Sequence, residues 1–308
     1  MKSAVLKILS SVSPNPVSGQ KISLELGVSR VSIWKQIQSL QNLGYPIQAT
    51  PKGYFLTKQA DCLYPWEFPE LEDRIFYYPI VTSTMDQAKQ HAQDGCPHFS
   101  IIVADQQNKG RGRLDRSWES QKGGLYFTIV LRPEIPPAII HQMSFTASVC
   151  LVDILRKHYH IEALIKWPND ILIDNQKICG ILCEMEVEAD LIKYLNIGMG
   201  ININKAPKIK NIATTSIKQE WGKKASRKKV LKQFIEQFQK RLESNDFQSV
   251  LEQWQKYSAT LNRDVEIKTI RDVKKGRAVG INESGALILE TEEKDKTLIY
   301  FGDCFHLN

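Results

Sequence analysis

Apolar positions over the first sixty residues recur at helical spacing and then change to alternation. Val5, Leu6, Leu9 and Val12 fall on one face of a helix. The stretch from Ser18 to Tyr45 carries two more apolar stripes, divided at Gly27. Ser18 and Ser29 stand where an N-cap hydroxyl would accept from the first free amides of each helix. In the second helix Ile33, Ile37 and Leu40 face inward with Val28. Arg30, Ser32, Trp34, Lys35 and Gln38 are left on or near the open face, and Gly44 ends the helix. Ile47 to Thr50 and Tyr54 to Leu56 flank a Pro51-Lys52-Gly53 turn, which predicts a hairpin. Three helices and a hairpin predict a winged helix-turn-helix over residues 1–60.

Residues 59–70, QADCLYPWEFPE, lack periodicity and carry two prolines, which predicts a linker. Beyond it, apolar runs predict strands at Ile101 to Asp105, Gly124 to Leu131, Ala163 to Trp167, Ile171 to Ile173, Ile178 to Val187 and Leu191 to Ile203. Helices are predicted at Met85 to Ala92, Pro137 to His158, Arg227 to Leu242 and Phe247 to Tyr257. Their irregular order favours an α+β domain over a doubly wound sheet, spanning residues 71–260. Over 261–308 helical spacing disappears. Val265 to Ile270, Arg277 to Ile281, Ala286 to Glu290 and Leu298 to Phe301 alternate between turn signals, which predicts a small all-β domain.

A length of 308 residues fits two or three domains, and 42% hydrophobic with 24% charged residues is ordinary for a soluble protein. No apolar run approaches the roughly 20 residues needed to span a bilayer, and Lys7 interrupts the short apolar start. A cytoplasmic protein with no membrane association is expected. Cys62, Cys96, Cys150, Cys179, Cys183 and Cys304 include no CxxC pair. No histidine completes a site around Cys179 and Cys183, so buried thiols are expected and no metal-ligating set. The net charge of +7 is uneven. Residues 1–60 hold seven cations against Glu25 alone, leaving about +1 for the rest. A basic head on a near-neutral body points to nucleic acid at the head. Ser29, Arg30, Ser32, Trp34 and Lys35 on the helix, with Lys52 in the hairpin turn, are the candidate DNA contacts. The alternative for such a head is a protein-interaction or dimerisation module.

The densest chemistry lies in GRGRLDRSW, Gly110 to Trp118. Gly110 and Gly112 let backbone approach a ligand, and Arg111, Arg113 and Arg116 bring planar forks suited to carboxylate or phosphate. Trp118 offers a flat face to a ring. A basic surface loop or an RNA-binding cluster would read similarly. KWPND follows at Lys166 to Asp170, a rigid turn between a cation and an anion that could equally be a structural ion pair. In KICGIL, Lys177 precedes Gly180, where a missing side chain permits close approach; otherwise Lys177 is a solvated strand lysine. GMGININ, Gly198 to Asn204, is a glycine-rich strand that leaves room for a ligand or marks a bulge.

In this order, over about the whole chain, these segments resemble the biotin protein ligase family, and the head resembles that of its bifunctional members, the biotin operon repressors. The resemblance implies a central domain of the biotin/lipoate ligase type and a C-terminal SH3-like β-barrel. It implies ATP and biotin as substrates, Mg2+ on the phosphates, and formation of biotinyl-5'-AMP before transfer to a lysine of a biotin carboxyl carrier protein. Residue by residue, Ser83 and Thr84 would bind the ureido ring, Gln107 would lie along biotin, and Gly110, Arg111, Gly112 and Gly180 would complete its site. Arg113 and Arg116 would meet the carboxylate and phosphates, and Lys177 the α-phosphate. Trp118, Lys166 and Asn202 would complete the nucleotide site, and Asp170 would orient or deprotonate the attacking lysine. A ligand-dependent homodimer on a palindromic operator is also implied. Three positions depart from the family: Asp115 where a third glycine is usual, Met85 where asparagine is common, and an ending, GDCFHLN, without the usual arginine. Asp115 and the ending leave open a biotin-sensing transcription factor with weak or no ligase activity, while Met85 removes one expected polar contact to biotin. A lipoate ligase is the other alternative, although that group generally lacks the arginine loop and the head.

Overall fold

The protein is described by a computed structural model over residues 1–133, 141–189, 191–269 and 272–307, the side chain of Asp115 excepted. It divides into two bodies, Met1–Asp73 and Arg74–Asn308.

The first body holds α1 (Lys2–Val12), α2 (Gly19–Leu26), α3 (Arg30–Asn42) and the antiparallel pair β1 (Ile47–Thr50) and β2 (Gly53–Leu56). Ser18 Oγ accepts from Lys21 N–H and Ser29 Oγ from Ser32 N–H, so both serines cap as their positions predict. Gly27 ends α2 in the left-handed region at φ 65°, where an L side chain is strained. An eight-residue helix is marginal alone, and Ile22, Ile33, Ile37 and Leu40, all buried with Val5 and Leu9, supply the stability. Residues 59–70 are not a free linker. Tyr64 stacks on Trp66 at 4.6 Å, the Trp66 indole donates to the Tyr45 hydroxyl at 2.9 Å, and that hydroxyl donates to Glu67 at 2.5 Å. The Lys2 ammonium lies 4.2 Å from the Trp66 ring centre. Aromatic contacts without a period fasten this segment to the head.

In the second body the chain runs β3 (Ile75–Val81), α4 (Thr84–Gln93), β4 (Ser100–Gln107), β5 (Leu125–Leu131), α5 (His141–Tyr159), β6 (Leu164–Lys166), β7 (Asp170–Ile173), β8 (Gln176–Glu188) and β9 (Leu191–Ile201). Then come α6 (Ile217–Trp221), α7 (Arg227–Ser244) and α8 (Phe247–Lys256). The strands form one sheet of order β3-β4-β5-β9-β8-β7-β6, parallel only between β3 and β4. Successive β5 residues serve opposite layers. Thr128 and Val130 face α4, while Phe127 meets Phe234 of α7 edge to face at 5.3 Å. The predicted helix from Pro137 begins, where described, at His141, because 137–140 lie outside the described residues. β3 has no counterpart in the predicted strands. Pro79 interrupts its apolar run, which the edge position tolerates.

A second, antiparallel sheet joins β10 (Asp264–Lys268), β11 (Val273–Ile281), β12 (Leu287–Glu290), β13 (Lys296–Ile299) and β14 (Asp303–His306) in the order β13-β12-β11-β10-β14. The run predicted as one strand, Leu298 to Phe301, is replaced by β13 and β14 on different partners. Gly302, at φ 142°, stands between them. Trp167 and Gly285 fix this sheet on the body. The Trp167 indole donates to the Gly285 carbonyl at 3.4 Å, and a Cβ at Gly285 would lie 2.8 Å from the Phe145 ring. Among the described residues no helix is long and apolar enough to cross a membrane.

Candidate active site

A cavity of about 390 Å³ opens over β8 and β9, bounded by the start of α4, the loop 110–118, the Trp167-Pro168 turn, residues 207–214 and β14. Ser83, Thr84, Gln107, Arg111, Gly112, Arg113, Arg116, Trp118, Lys166, Asp170, Lys177, Gly180 and Asn202 all line it. Gly110 does not. It closes the neck of its loop, where a Cβ would lie 2.4 Å from the Trp118 carbonyl oxygen and where its own carbonyl accepts from Trp118 N–H at 2.8 Å.

One end of the cavity is a neutral hydrogen-bonding cluster. Ser83 caps α4 by accepting from Met85 N–H. Thr84 donates to Gln107 Oε1 from both its amide, at 2.7 Å, and its hydroxyl, at 3.1 Å, and Thr128 donates to the Thr84 hydroxyl at 2.9 Å. Gln107 Nε2 donates to Ser120 at 2.7 Å. The cap thus places two buried hydroxyls at the cavity wall.

Cations ring the other parts. Lys177 Nζ lies 2.6 Å from Asp170 Oδ1, because β7 and β8 pair Asp170 with Gly180. Lys177 is fixed through its backbone: its N–H donates to Ala213 O at 2.8 Å, and its carbonyl accepts from Thr215 N–H and Asn202 Nδ2. Arg113 donates to Asn169 Oδ1 and to the Gly302 carbonyl at 3.3 and 3.1 Å. Burial is the main cause that lowers the Arg113 pKa, with Arg116 acting in the same direction against Asp303 and Asp170. Arg116 pairs with Asp303. Arg111 pairs with Asp86 at 3.0 Å and with Glu184; burial opposes its charge, but the two carboxylates outweigh it and raise its pKa. Lys166 forms no ion pair among the described residues.

The glycines are occupied by this chain's own side chains. A Cβ at Gly200 would lie 2.2 Å from Trp118 Nε1, one at Gly180 2.9 Å from its ring, and one at Gly198 2.5 Å from the Met85 sulfur. Trp118 Nε1 and Asn202 Oδ1 are buried without hydrogen-bond partners. A buried orphan donor or acceptor is costly, by about 1–3 kcal/mol, and both residues line the cavity, where polar atoms of a ligand could offset that cost. The left-handed residue of the loop is Leu114, at φ 52°, rather than a glycine.

Asp86, Glu184, Asn169, Gly302 and Asp303 also belong to the site and were not singled out from the sequence. Asn169 alone sits inside a recognised motif; the others come together only through tertiary pairing. The candidate DNA contacts lie on the other body. Ser29 is the α3 cap, Arg30, Trp34, Lys35 and Lys52 are exposed, and Ser32 is half-buried.

Three family models match the chain: an HTH domain at residues 2–55, the biotin/lipoate A/B protein ligase family at 77–202, and the biotin protein ligase C-terminal domain at 260–307. The central match defines the class as a biotin/lipoate-type protein ligase. The bifunctional ligase/repressor BirA of Bacillus subtilis (strain 168) is 34% identical, with 98% of both chains covered. Its counterpart from Escherichia coli (strain K12) is 28% identical over 89% of this chain and 88% of that one. A solved biotin protein ligase from Aquifex aeolicus, in complex with biotin and ATP, superposes with a TM-score of 0.65 at 27% identity, covering 76% of this chain and 98% of that one. The chain belongs to the family of bifunctional biotin protein ligase/repressors.

Proposed function

We propose that the chain joins biotin to a lysine of a biotin carboxyl carrier protein with ATP, through biotinyl-5'-AMP, and represses transcription at a palindromic operator as a ligand-dependent dimer. The observation that carries the ligase reading is the cavity. A neutral hydrogen-bonding end suits a ureido ring, and Arg113, Arg116, Lys166 and Lys177 suit a carboxylate and phosphates. Biotin's carboxylate, ionised at neutral pH, attacks the α-phosphorus; the bond to the β-phosphate oxygen breaks and pyrophosphate leaves. The protein's part is positioning and charge neutralisation, with Lys177 exchanging Asp170 for an α-phosphate oxygen. Asp170, so released, then faces the incoming lysine and takes its proton as the amine attacks the acyl carbon and AMP leaves. Trp118 presents its face to the adenine and Asn202 its amide to the base's edge.

Among the described residues no three His, Cys, Asp or Glu side chains gather to hold a metal. Mg2+ would instead accompany the substrate phosphates, keeping most of its water and taking at most one or two carboxylates. When bound, it neutralises phosphate charge. We assign residues 1–60 to a winged DNA-binding domain, 71–260 to the catalytic domain and 261–308 to an SH3-like barrel. The ligase reading is tested by ATP–pyrophosphate exchange on the purified protein, followed by biotin transfer to a carrier domain. Exchange that needs biotin supports it; exchange with lipoate instead, or none with either, overturns it. Exchange without transfer would make the chain a biotin-sensing regulator.

A further inference from the structure

The near-neutral balance of the body conceals a strong separation of charge. Residues 205–232 contain nine lysines and Arg227 against Glu220 alone, a net +9 in 28 residues. With +6 on residues 1–60, the remainder of the chain is net −8. The Thr215 hydroxyl donates to Glu220, so the one carboxylate of the segment is engaged by a side chain of the same segment. Lys205, Lys208, Lys210, Lys218, Lys224 and Lys229 are exposed and make no ion pair among the described residues.

The fold gathers these lysines. Asn204 exchanges two hydrogen bonds with Ala225, at 2.8 and 2.9 Å, which draws Lys205 and Lys224 together. Lys218 N–H donates to Ile203 O at 2.8 Å, bringing α6 alongside. Lys223 lies over the Trp221 ring, whose other contact is Tyr159 at the end of α5. Next to it, the charges of Lys157 and Lys229 both act on His158. One edge of this surface is the cavity mouth. Pro207 and Ile209 line the cavity while Lys208 and Lys210, between and beside them, are exposed.

We propose that this lysine face docks the acceptor protein through an acidic surface on that protein, so that its target lysine is delivered to the cavity. This rests on the ligase reading above. Location decides between partners. The acceptor must reach this mouth for the transfer step, whereas a nucleic acid has no reason to lie there. Rim charges that do not enter the chemistry act on encounter and on salt dependence more than on the bound complex.

The test uses the full chain and the carrier domain of a biotin-dependent carboxylase from the same cells. The two variants are Lys205→Glu with Lys218→Glu, and Lys223→Glu with Lys224→Glu, all exposed and none of them lining the cavity. Each should raise the acceptor KM about tenfold at 50 mM salt, with kcat for transfer unchanged and the difference shrinking at higher salt. ATP–pyrophosphate exchange, run without acceptor, should stay within about twofold. Lys→Arg at the same positions should behave as wild type, which separates charge from folding. An acceptor KM that ignores both reversals overturns the proposal. So does an unchanged acceptor KM with weakened binding to a 30-base-pair duplex, since the face would then be a nucleic-acid contact. Absence of exchange in the wild-type chain would instead defeat the ligase reading.

Discussion

Lys177 is held by three backbone hydrogen bonds and one carboxylate, so its ammonium is positioned before any substrate arrives. Lys177→Ala should lower biotin-dependent pyrophosphate exchange by about 10²-fold or more, the usual effect of deleting one preorganised charge stabiliser. A rate within a few-fold of wild type would remove the residue from its assigned role. A second residue links the C-terminal sheet to the site. His306 Nε2 lies 3.1 Å from the Thr260 hydroxyl, which accepts from Trp167 N–H at 3.0 Å. Burial first, then Lys166 and Arg263, lowers the His306 pKa from 6.5 to about 4. The unfolded chain therefore takes up a proton that the folded one refuses. This contribution to stability is complete above about pH 6.5 and is lost as pH falls toward 4. Thermal midpoints at pH 7.5 and 5 should drop less in His306→Gln than in wild type; equal drops would exclude this linkage.

At the scale of elements, the arginine loop is fastened at both ends, by Asp86 and Glu184 through Arg111 and by the second sheet through Arg113 and Arg116. Ligand must compete with those partners, and biotinyl-5'-AMP should slow trypsin cleavage after Arg111, Arg113 or Arg116 severalfold. Cleavage at the same rate with and without it would mark a static surface loop. Elements with a period or a cap were legible in the sequence. Ser18 and Ser29 named two helix starts, and Val230, Phe234 and Phe238 a third helix's buried stripe. So were most cavity residues, because GRGRLDRSW, KWPND and KICGIL are local runs. The rest were not legible because their cause is not local. Asp303 reaches Arg116 across 187 residues, and Pro79 hides an edge strand. The glycines were read as space for a ligand, but the structure has Met85 and Trp118 already in that space.

At the scale of the whole molecule, every cavity residue lies beyond Thr82, and Tyr64, Trp66 and Glu67 belong to the head. Removing residues 1–73 should therefore abolish operator binding while pyrophosphate exchange persists. Loss of exchange in the truncated chain would show that the bodies depend on each other for catalysis. In the intact chain, biotinyl-5'-AMP should lower the dimer dissociation constant and tighten operator binding together, as linkage requires if one ligand-bound state does both. Sedimentation and a DNA titration on the same samples test this; tight binding by a monomer would break the coupling. The attachment of residues 213–215 to Lys177 has a consequence for how motion over the cavity can be watched. The Lys177 amide is itself bonded to that segment, at Ala213 O. If the segment lifts, this amide and the Thr215 amide, which donates to the Lys177 carbonyl, are both freed to trade hydrogen for deuterium, so their paired labelling rates clock the opening of the cavity.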